Sequence, residues 1–399
     1  MISLFSKNNL NKKHRSLTSD SSSAMDHKVD WSQLPIVLWP KIGKYLDNHI
    51  DVLRFRSVCE SFRSSIPPSL PNSPYFPLQV PHPIHISQNT HLNQSTIYLI
   101  EPTDATSTSN SSSSSSKGWL IKVQESKNLP LSLLSPISDR KLSYPQSNNN
   151  TAFKLWNLLD CRVIELCKSY TIPKTPLIAS SVYKVVFFPN SPWTNVEDCV
   201  SCCIFQEGEL GLMKHGDEKW KLVGDKNFHY DDVIVFKGQF YVTDKWGTIS
   251  WIDVCSLKLI EFSPPLCGFG NKKHLVESCG SLYVVDRYYE SSESMRRNNV
   301  GRRRNRGAVV ECFKVYKLDE EWGKWVDVES LRDRAFILSN SCNFSVSVED
   351  LIGYQGNCIY FRDTFDVRMY NLDDHRITSV DFFSSIDNTL WLHLPWIRC

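Results

Sequence analysis

The run VIVFKGQFYVTDKWGTISWID, residues 233–253, decides the fold. Gly238 supplies a turn residue free to take positive φ, and the alternation after it supplies a strand. Asp244 with Gly247 ends that strand in a second turn, and Asp253 ends the next. The pattern recurs: Ser278-Cys279-Gly280-Ser281-Leu282-Tyr283 leads to Asp286, and Tyr354-Gln355-Gly356-Asn357-Cys358-Ile359-Tyr360 leads to Asp363 and Asp373. Gln206-Glu207-Gly208-Glu209-Leu210-Gly211 is a weaker copy. Gly238 to Gly280 is 42 residues, within the span of about 40–50 that one four-stranded propeller blade occupies. Gly280 to Gly356 is 76 residues, which fits the same period only if residues 289–307 are an insertion, so the blade number stays open. Glycine is sparse, 16 of 399 residues, against a usual share of roughly 7%. A β-sandwich is therefore the structural alternative.

Outward from that run, short strands dominate. STIYLIEP and KGWLIKVQ read as a pair separated by the polar run Thr103 to Ser116, whose serine tract cannot bury a face and predicts a disordered loop. YKVVFFP, CVSCCIF, ELGLM, WKLV, LYVVD, CFKVYKL, CIYFRD and VRMYNLD extend the set. Only LWNLLDCRVIELCK, Leu155 to Lys168, is ambiguous between strand and helix.

One stretch is different: WSQLPIVLWPKIGKYLDNHIDVLRFRSVCESFRSS, Trp31 to Ser65. Leu34, Leu38, Ile42 and Leu46 recur every fourth position and predict one stripe of a helix, with Pro35 in its first turn and Pro40 as a kink. Asp51 is the expected N-cap of a second helix that carries Val52, Leu53, Phe55 and Val58. About 35 residues bury too little to fold securely alone, so the stripe should serve a partner as well as its own core. Behind it, Pro67, Pro68, Pro71, Pro74, Pro77, Pro81 and Pro83 crowd one run. That composition suits a semi-rigid polyproline spacer of roughly 3.1 Å per residue; an irregular connection packed on the next domain suits it equally. The expected layout is a disordered tail over 1–28, the helical segment over 29–66, the proline-rich linker over 67–84, and the β domain over 85–399 with disordered insertions near 103–117 and 289–307.

Composition excludes several functions. The net charge of +2, with 22% charged residues, sets up no field that would steer the chain to nucleic acid or an anionic membrane. No apolar run reaches the roughly 18 residues that span a bilayer. The first residues, MISLFSKNNLNKKHRS, reverse the order of a secretory signal; they read as a tail with a faint transit-peptide character, and Met25 is a second candidate start. Thirteen cysteines at irregular spacing form no disulfide framework. Cys199, Cys202 and Cys203 lack further ligands at metal-site spacing, because His215 and His229 are too widely separated, and so read as core thiols. No phosphate-cradling GxxxxGK[ST], no GxSxG and no HExxH occurs. Asp231-Asp232 and Asp373-Asp374 are expected to be solvated turn formers rather than a glycosidase pair. The basic run from Arg296 to Arg306 predicts a solvated loop, with nuclear import as the alternative and nucleic-acid binding behind both. No cofactor or metal is expected.

Residue by residue, Trp31 to Ser65 resembles an F-box. The opening Leu-Pro of that family is Leu34-Pro35, its spaced aliphatics are Leu38, Ile42 and Leu46, and its acidic turn residue is Asp51. Its closing Val-Cys followed by Trp is here Val58-Cys59 followed by Phe62, with less ring area. The run of strand motifs from VIVFKGQFYVTDKWGTISWID through HLVESCGSLYVVDR to the Trp-rich end LWLHLPWIRC is similar to the plant kelch-like domain known as domain of unknown function 295. Together the two resemblances imply a mainly β protein with a small helical F-box and a kelch-like β-propeller. They imply a non-catalytic substrate receptor of a Skp–cullin–F-box ubiquitin ligase, nuclear or cytoplasmic. Leu34, Pro35, Leu38, Ile42, Leu46, Val58, Cys59 and Phe62 would bind the Skp adaptor, and cullin and RING subunits would follow through it. The propeller would bind an unidentified protein target. An interaction protein acting outside a ligase, and a propeller enzyme, are the alternatives.

Overall fold

A computed structural model describes residues 34–83, 89–102, 118–124, 132–142, 161–173, 182–224, 229–266, 268–290, 309–349, 351–363 and 366–380. The expected tail, the insertion at 103–117, residues 291–307 of the second insertion with Arg296 to Arg306, and the Trp-rich end lie outside those residues.

The helical segment is made of short pieces. A 3-10 turn spans Ile36–Leu38, and α1 (Trp39–Gly43), α2 (His49–Ser57) and α3 (Glu60–Ser65) follow. The expected single kinked helix is thus replaced by a break: Pro35 caps the 3-10 turn, and Pro40 sits in the first turn of α1, where a missing N–H costs nothing. The N-cap of α2 is Asn48 and not Asp51. Its Oδ1 accepts the Asp51 N–H at 2.8 Å, and its Nδ2 donates to Asp51 Oδ2 at 2.7 Å. Asp51 is the acid in the first turn, a favourable place beside the positive end of the helix. Trp39, 4% exposed, stacks on Phe62 with centroids 4.0 Å apart, and Phe62 on Phe55 at 4.6 Å. These rings form the small core of the segment. Gly43 lets Ile66 close over it, since a Cβ there would lie 2.6 Å from the Ile66 side chain.

The strands form five groups. The first is β2 (Asn89–Pro102), β3 (Trp119–Gln124), β4 (Ser132–Leu134) and β5 (Cys161–Thr171), in the order β4-β3-β2-β5. Three sequential meanders follow: β6 (Val182–Phe188), β7 (Val200–Phe205), β8 (Leu210–Lys214) and β9 (Lys221–Val223); β10 (Tyr230–Phe236), β11 (Gln239–Asp244), β12 (Ile249–Asp253) and β13 (Lys258–Glu261); and β14 (Lys272–Ser278), β15 (Ser281–Tyr289), β16 (Val310–Asp319) and β17 (Lys324–Asp327). The last group comprises β18 (Arg334–Leu338), β19 (Asn343–Ser347), β20 (Cys358–Asp363), β21 (Asp366–Asn371) and β22 (Ile377–Ser379), in the order β19-β18-β20-β21-β22. The first two groups are joined as strands through one residue pair, Tyr170 and Val185.

Consecutive groups pack face to face. Leu92 and Tyr170 meet Phe187 and Cys203; Ile204 and Leu212 meet Val233 and Phe240; Phe236 and Ile249 meet Leu275 and Leu282; Val276 and Phe313 meet Phe336 and Phe361. The ring closes where Ile97, Leu99 and Leu120 of the first group meet Ala335, Ile337 and Tyr360 of the last. That cyclic packing is a β-propeller and excludes the sandwich, in which only two faces meet.

The repeat maps onto this ring in part. Lys237-Gly238 (φ 46° and 79°) and Cys279-Gly280 (φ 50° and 75°) are the same hairpin turn in consecutive blades, both residues being left-handed as a type I′ turn requires. Gly208 instead turns β7 into β8, one hairpin later, and in the last blade Asn357, not Gly356, has positive φ. There β18 pairs parallel with β20, which takes the last copy out of phase. Asp286 does not end a strand: it lies inside β15, fully buried, 2.8 Å from Lys273. The ambiguous stretch is strand β5 from Cys161 onward, and its earlier residues lie outside the described ones. The proline-rich linker is not a free spacer. Leu70 N–H donates to Pro192, Val196 N–H donates to the Asn72 carbonyl, Phe76 is buried, and β1 (Leu78–Pro81) pairs with β2.

Candidate functional site

Two features stand out, the surface of the helical segment and a cavity at the centre of the ring. The segment leaves large apolar side chains in solvent: Ile36 and Val37 are each 73% exposed, Tyr45 84% and Val58 52%. Pro35 and Cys59 are exposed beside them. Leu34, Leu38, Ile42 and Leu46 are half-buried, and Phe62 is turned onto Trp39 within the core of the segment. The expected stripe is therefore divided. Val58, Cys59 and Pro35 face solvent, Phe62 supports, and Ile36, Val37 and Tyr45, which fourfold periodicity passes over, are the most exposed. The break at Trp39 carries the cause, because a 3-10 turn does not continue the helical phase.

The segment is anchored to the propeller. Ile50 is buried against Ile100, Cys161 and Val163. Arg54 bonds to Asp51 at 3.1 Å and to the Val163 carbonyl, and Trp193 Nε1 donates to the Leu46 carbonyl at 3.0 Å.

Asp47 and Asn48 then rim a cavity of about 950 Å³. Its walls are β5, β6, β10 and residues 341–345, with Glu277 and Gly280 at the same mouth as Lys237 and Gly238. Glu165 at the rim is raised by burial, against the pull of Lys168 at 3.6 Å, and the exposed His49 is lowered by partial desolvation and then by Lys168. On one wall the Cys167 and Cys342 thiols lie close enough to act on each other, which lowers Cys342 and, with burial, raises Cys167.

Deeper in the ring lies Asp232, 1% exposed, which the turn expectation misplaced. It pairs with Lys184, accepts Asn343 Nδ2 at 2.6 Å, and accepts the backbone N–H of Leu275 and Val233 at 2.8 Å each. Four blades thus meet at one carboxylate. Asp231 also lies in β10, and its Oδ2 accepts the Lys273 N–H at 2.8 Å. Asp373 and Asp374 are exposed in a turn. Cys202 and Cys203 lie buried in β7 and Cys199 just before it, each raised by burial. Among the described residues no cluster of His, Cys, Asp or Glu is arranged to hold a metal, and no helix is long and apolar enough to cross a membrane.

Comparison with known proteins places this geometry. Residues 88–377 match the KIB1-4 beta-propeller family. The chain is 28% identical to F-box protein SKIP23 of Arabidopsis thaliana over 92% of its own length and 96% of that protein's. It is 31% identical to F-box protein At2g26160 of Arabidopsis thaliana, over 84% and 96% respectively. With a short helical segment docked on a five-group ring, and with relatives matched along nearly their whole length, the chain belongs to the plant F-box proteins that carry a KIB1-4 β-propeller.

Proposed function

We propose that the chain is the substrate-recognition subunit of a Skp–cullin–F-box ubiquitin ligase. The exposed apolar groups of the helical segment carry this reading. A segment whose own core is one Trp and two Phe rings, yet which holds Ile36, Val37, Tyr45 and Val58 in solvent, presents an unpartnered apolar surface of the kind that marks a protein interface. The Skp adaptor is the occupant that the F-box resemblance implies. The propeller then holds the target, so the contribution is effective concentration and orientation rather than bond making.

Hot-spot logic concentrates affinity in a few apolar anchors. Ile36→Asp with Val37→Asp should therefore weaken adaptor binding by about thirtyfold or more, roughly 2 kcal/mol. The melting temperature should hold, because neither side chain is buried. Undiminished co-purification with Skp sinks the assignment. In a reconstituted reaction the chain should give no target ubiquitination until Skp, cullin and the RING subunit are present.

A further inference from the structure

Among the described residues the three buried lysines each have a carboxylate. Lys122 meets Asp139 at 2.5 Å, Lys184 meets Asp232, and Lys273 meets Asp286 at 2.8 Å. At the start of β14 a half-buried lysine has none. Lys272 stands directly opposite Arg287 in the β14–β15 register, and like charges across a strand pair repel. Among the described residues neither cation forms an ion pair with an Asp or Glu. Asp363, whose charge Arg287 feels, is engaged by Arg368 at 3.2 Å.

The neighbourhood is also short of acceptors. His274, two residues along β14 and so on the same face as Lys272, is 6% exposed, and its Nε2 has no hydrogen-bond partner. Arg287 Nε is likewise buried without one. The remaining contacts of Arg287 are a 3.3 Å bond to the Arg362 carbonyl and the rings of Phe361, Tyr289 and Phe313, at 5.0, 5.2 and 5.7 Å. Lys272 touches the Tyr183 hydroxyl and lies 3.5 Å from that ring's centroid. Burial, and then Arg287, hold Lys272 down at about 7. Burial, and then Lys272, Arg287 and Lys184, keep His274 neutral. Two basic side chains and a neutral imidazole with free donors are thus gathered where the nearest carboxylate, Asp363, is already engaged by Arg368, a costly arrangement for partly desolvated charge.

The location is equally specific. Glu277 and Gly280, at the far end of β14, border the cavity mouth that Asp47 and Asn48 occupy. Lys272 is five residues back from Glu277 along the same strand, roughly 17 Å away, at the end of the propeller remote from the helices.

We propose that Lys272, His274 and Arg287 form an oxyanion site that takes the phosphate of a partner's side chain. The identity of the partner as a ligase target rests on the receptor reading above; the anion site does not. Arg287 offers a planar fork of donors suited to two oxygens, Lys272 adds a point charge, and His274 donates from Nε2 in the matching tautomer.

The test is calorimetric titration of the full chain in low-chloride buffer. Inorganic phosphate is the first probe and N-acetyl-phosphoserine-N-methylamide the second, each against wild type, Lys272→Met and Arg287→Gln. Saturable binding of both probes, weakened about tenfold or more by either substitution, supports the site. Absent binding, or equal affinity in all three proteins, overturns it. Binding of phosphate but not of the phosphoserine probe overturns the side-chain ligand. Arg287→Gln disturbs three ring contacts and has its own chance of unfolding, so Lys272→Met carries the decision. Without anion its melting temperature should match or exceed the wild type's, because a like-charge contact is removed; a clear fall marks Lys272 as structural and overturns the proposal. Skp co-purification, measured in parallel, fails independently if the receptor reading is wrong.

Discussion

At the scale of single residues, charge burial is the informative quantity. Asp231 accepts the Lys273 N–H at 2.8 Å, yet burial dominates and raises its pKa from 3.8 to about 6. Between about pH 4 and 6 the folded chain keeps a proton that the unfolded chain has released, so stability from this group falls as pH rises through that window and is gone above it. The size is on the order of 2 kcal/mol. Asp231→Asn, which keeps an acceptor for Lys273, should raise the melting temperature by a few degrees at pH 7.5 and flatten the difference from wild type below pH 4. A lower melting temperature at pH 7.5 would show that the charged form is the stabilised one.

At the scale of elements, the helical segment and the propeller act as one piece because few but specific contacts join them. Ile50 supplies the apolar anchor, Arg54 spans from Asp51 to the Val163 carbonyl, and Trp193 reaches Leu46 at 3.0 Å. Arg54→Met with Trp193→Phe removes both polar ties and keeps most of the volume. Amide exchange over residues 46–65 should then accelerate severalfold while the blades keep their protection. Unchanged exchange would place the whole of the docking energy in Ile50 and its neighbours. The same contacts fix where the exposed face of the helical segment stands relative to the propeller, which a spacer of independent prolines would leave open.

At the scale of the whole molecule, ring closure depends on apolar faces and on one buried charge. The first and last blades share a core that includes Ile97, Ile337 and Tyr360, and Ile352 N–H donates to the Gly118 carbonyl across the same seam at 3.0 Å. Asp232 ties β6, β10, β14 and the start of β19. Asp232→Ala leaves Lys184, 6% exposed, as an unpaired buried cation, takes the shorter of two bonds from Asn343, and strips the Leu275 and Val233 N–H groups of their carboxylate acceptor. The expected cost is about 3–5 kcal/mol, seen in denaturant unfolding. Asp232→Ala together with Lys184→Met should recover a large part of that loss, because the stranded charge is gone. A double variant as unstable as the single one would assign the cost to the backbone acceptor role alone.

What the sequence determined by itself is what short-range physics controls. Alternation located most of the strands, since side chains in a strand point to opposite faces with period two. Lys237-Gly238 and Cys279-Gly280 marked equivalent hairpins, since few residues other than Gly adopt positive φ without strain. The order Leu34-Pro35, Ile42, Leu46, Val58-Cys59 located the helical segment. Tertiary structure alone decided the rest. It split the apolar stripe of that segment between core and solvent, because a 3-10 turn before Trp39 shifts the helical phase. It packed the proline run against Pro192 and β2, and it moved Asp231 and Asp232 from an expected turn into the first strand of a blade, β10. The partners of Asp232 lie 48 residues away at Lys184 and 111 away at Asn343. No local pattern encodes such pairs: a carboxylate in a solvated turn and one buried beneath a lysine are the same letter, and only the closing of the ring chooses between them.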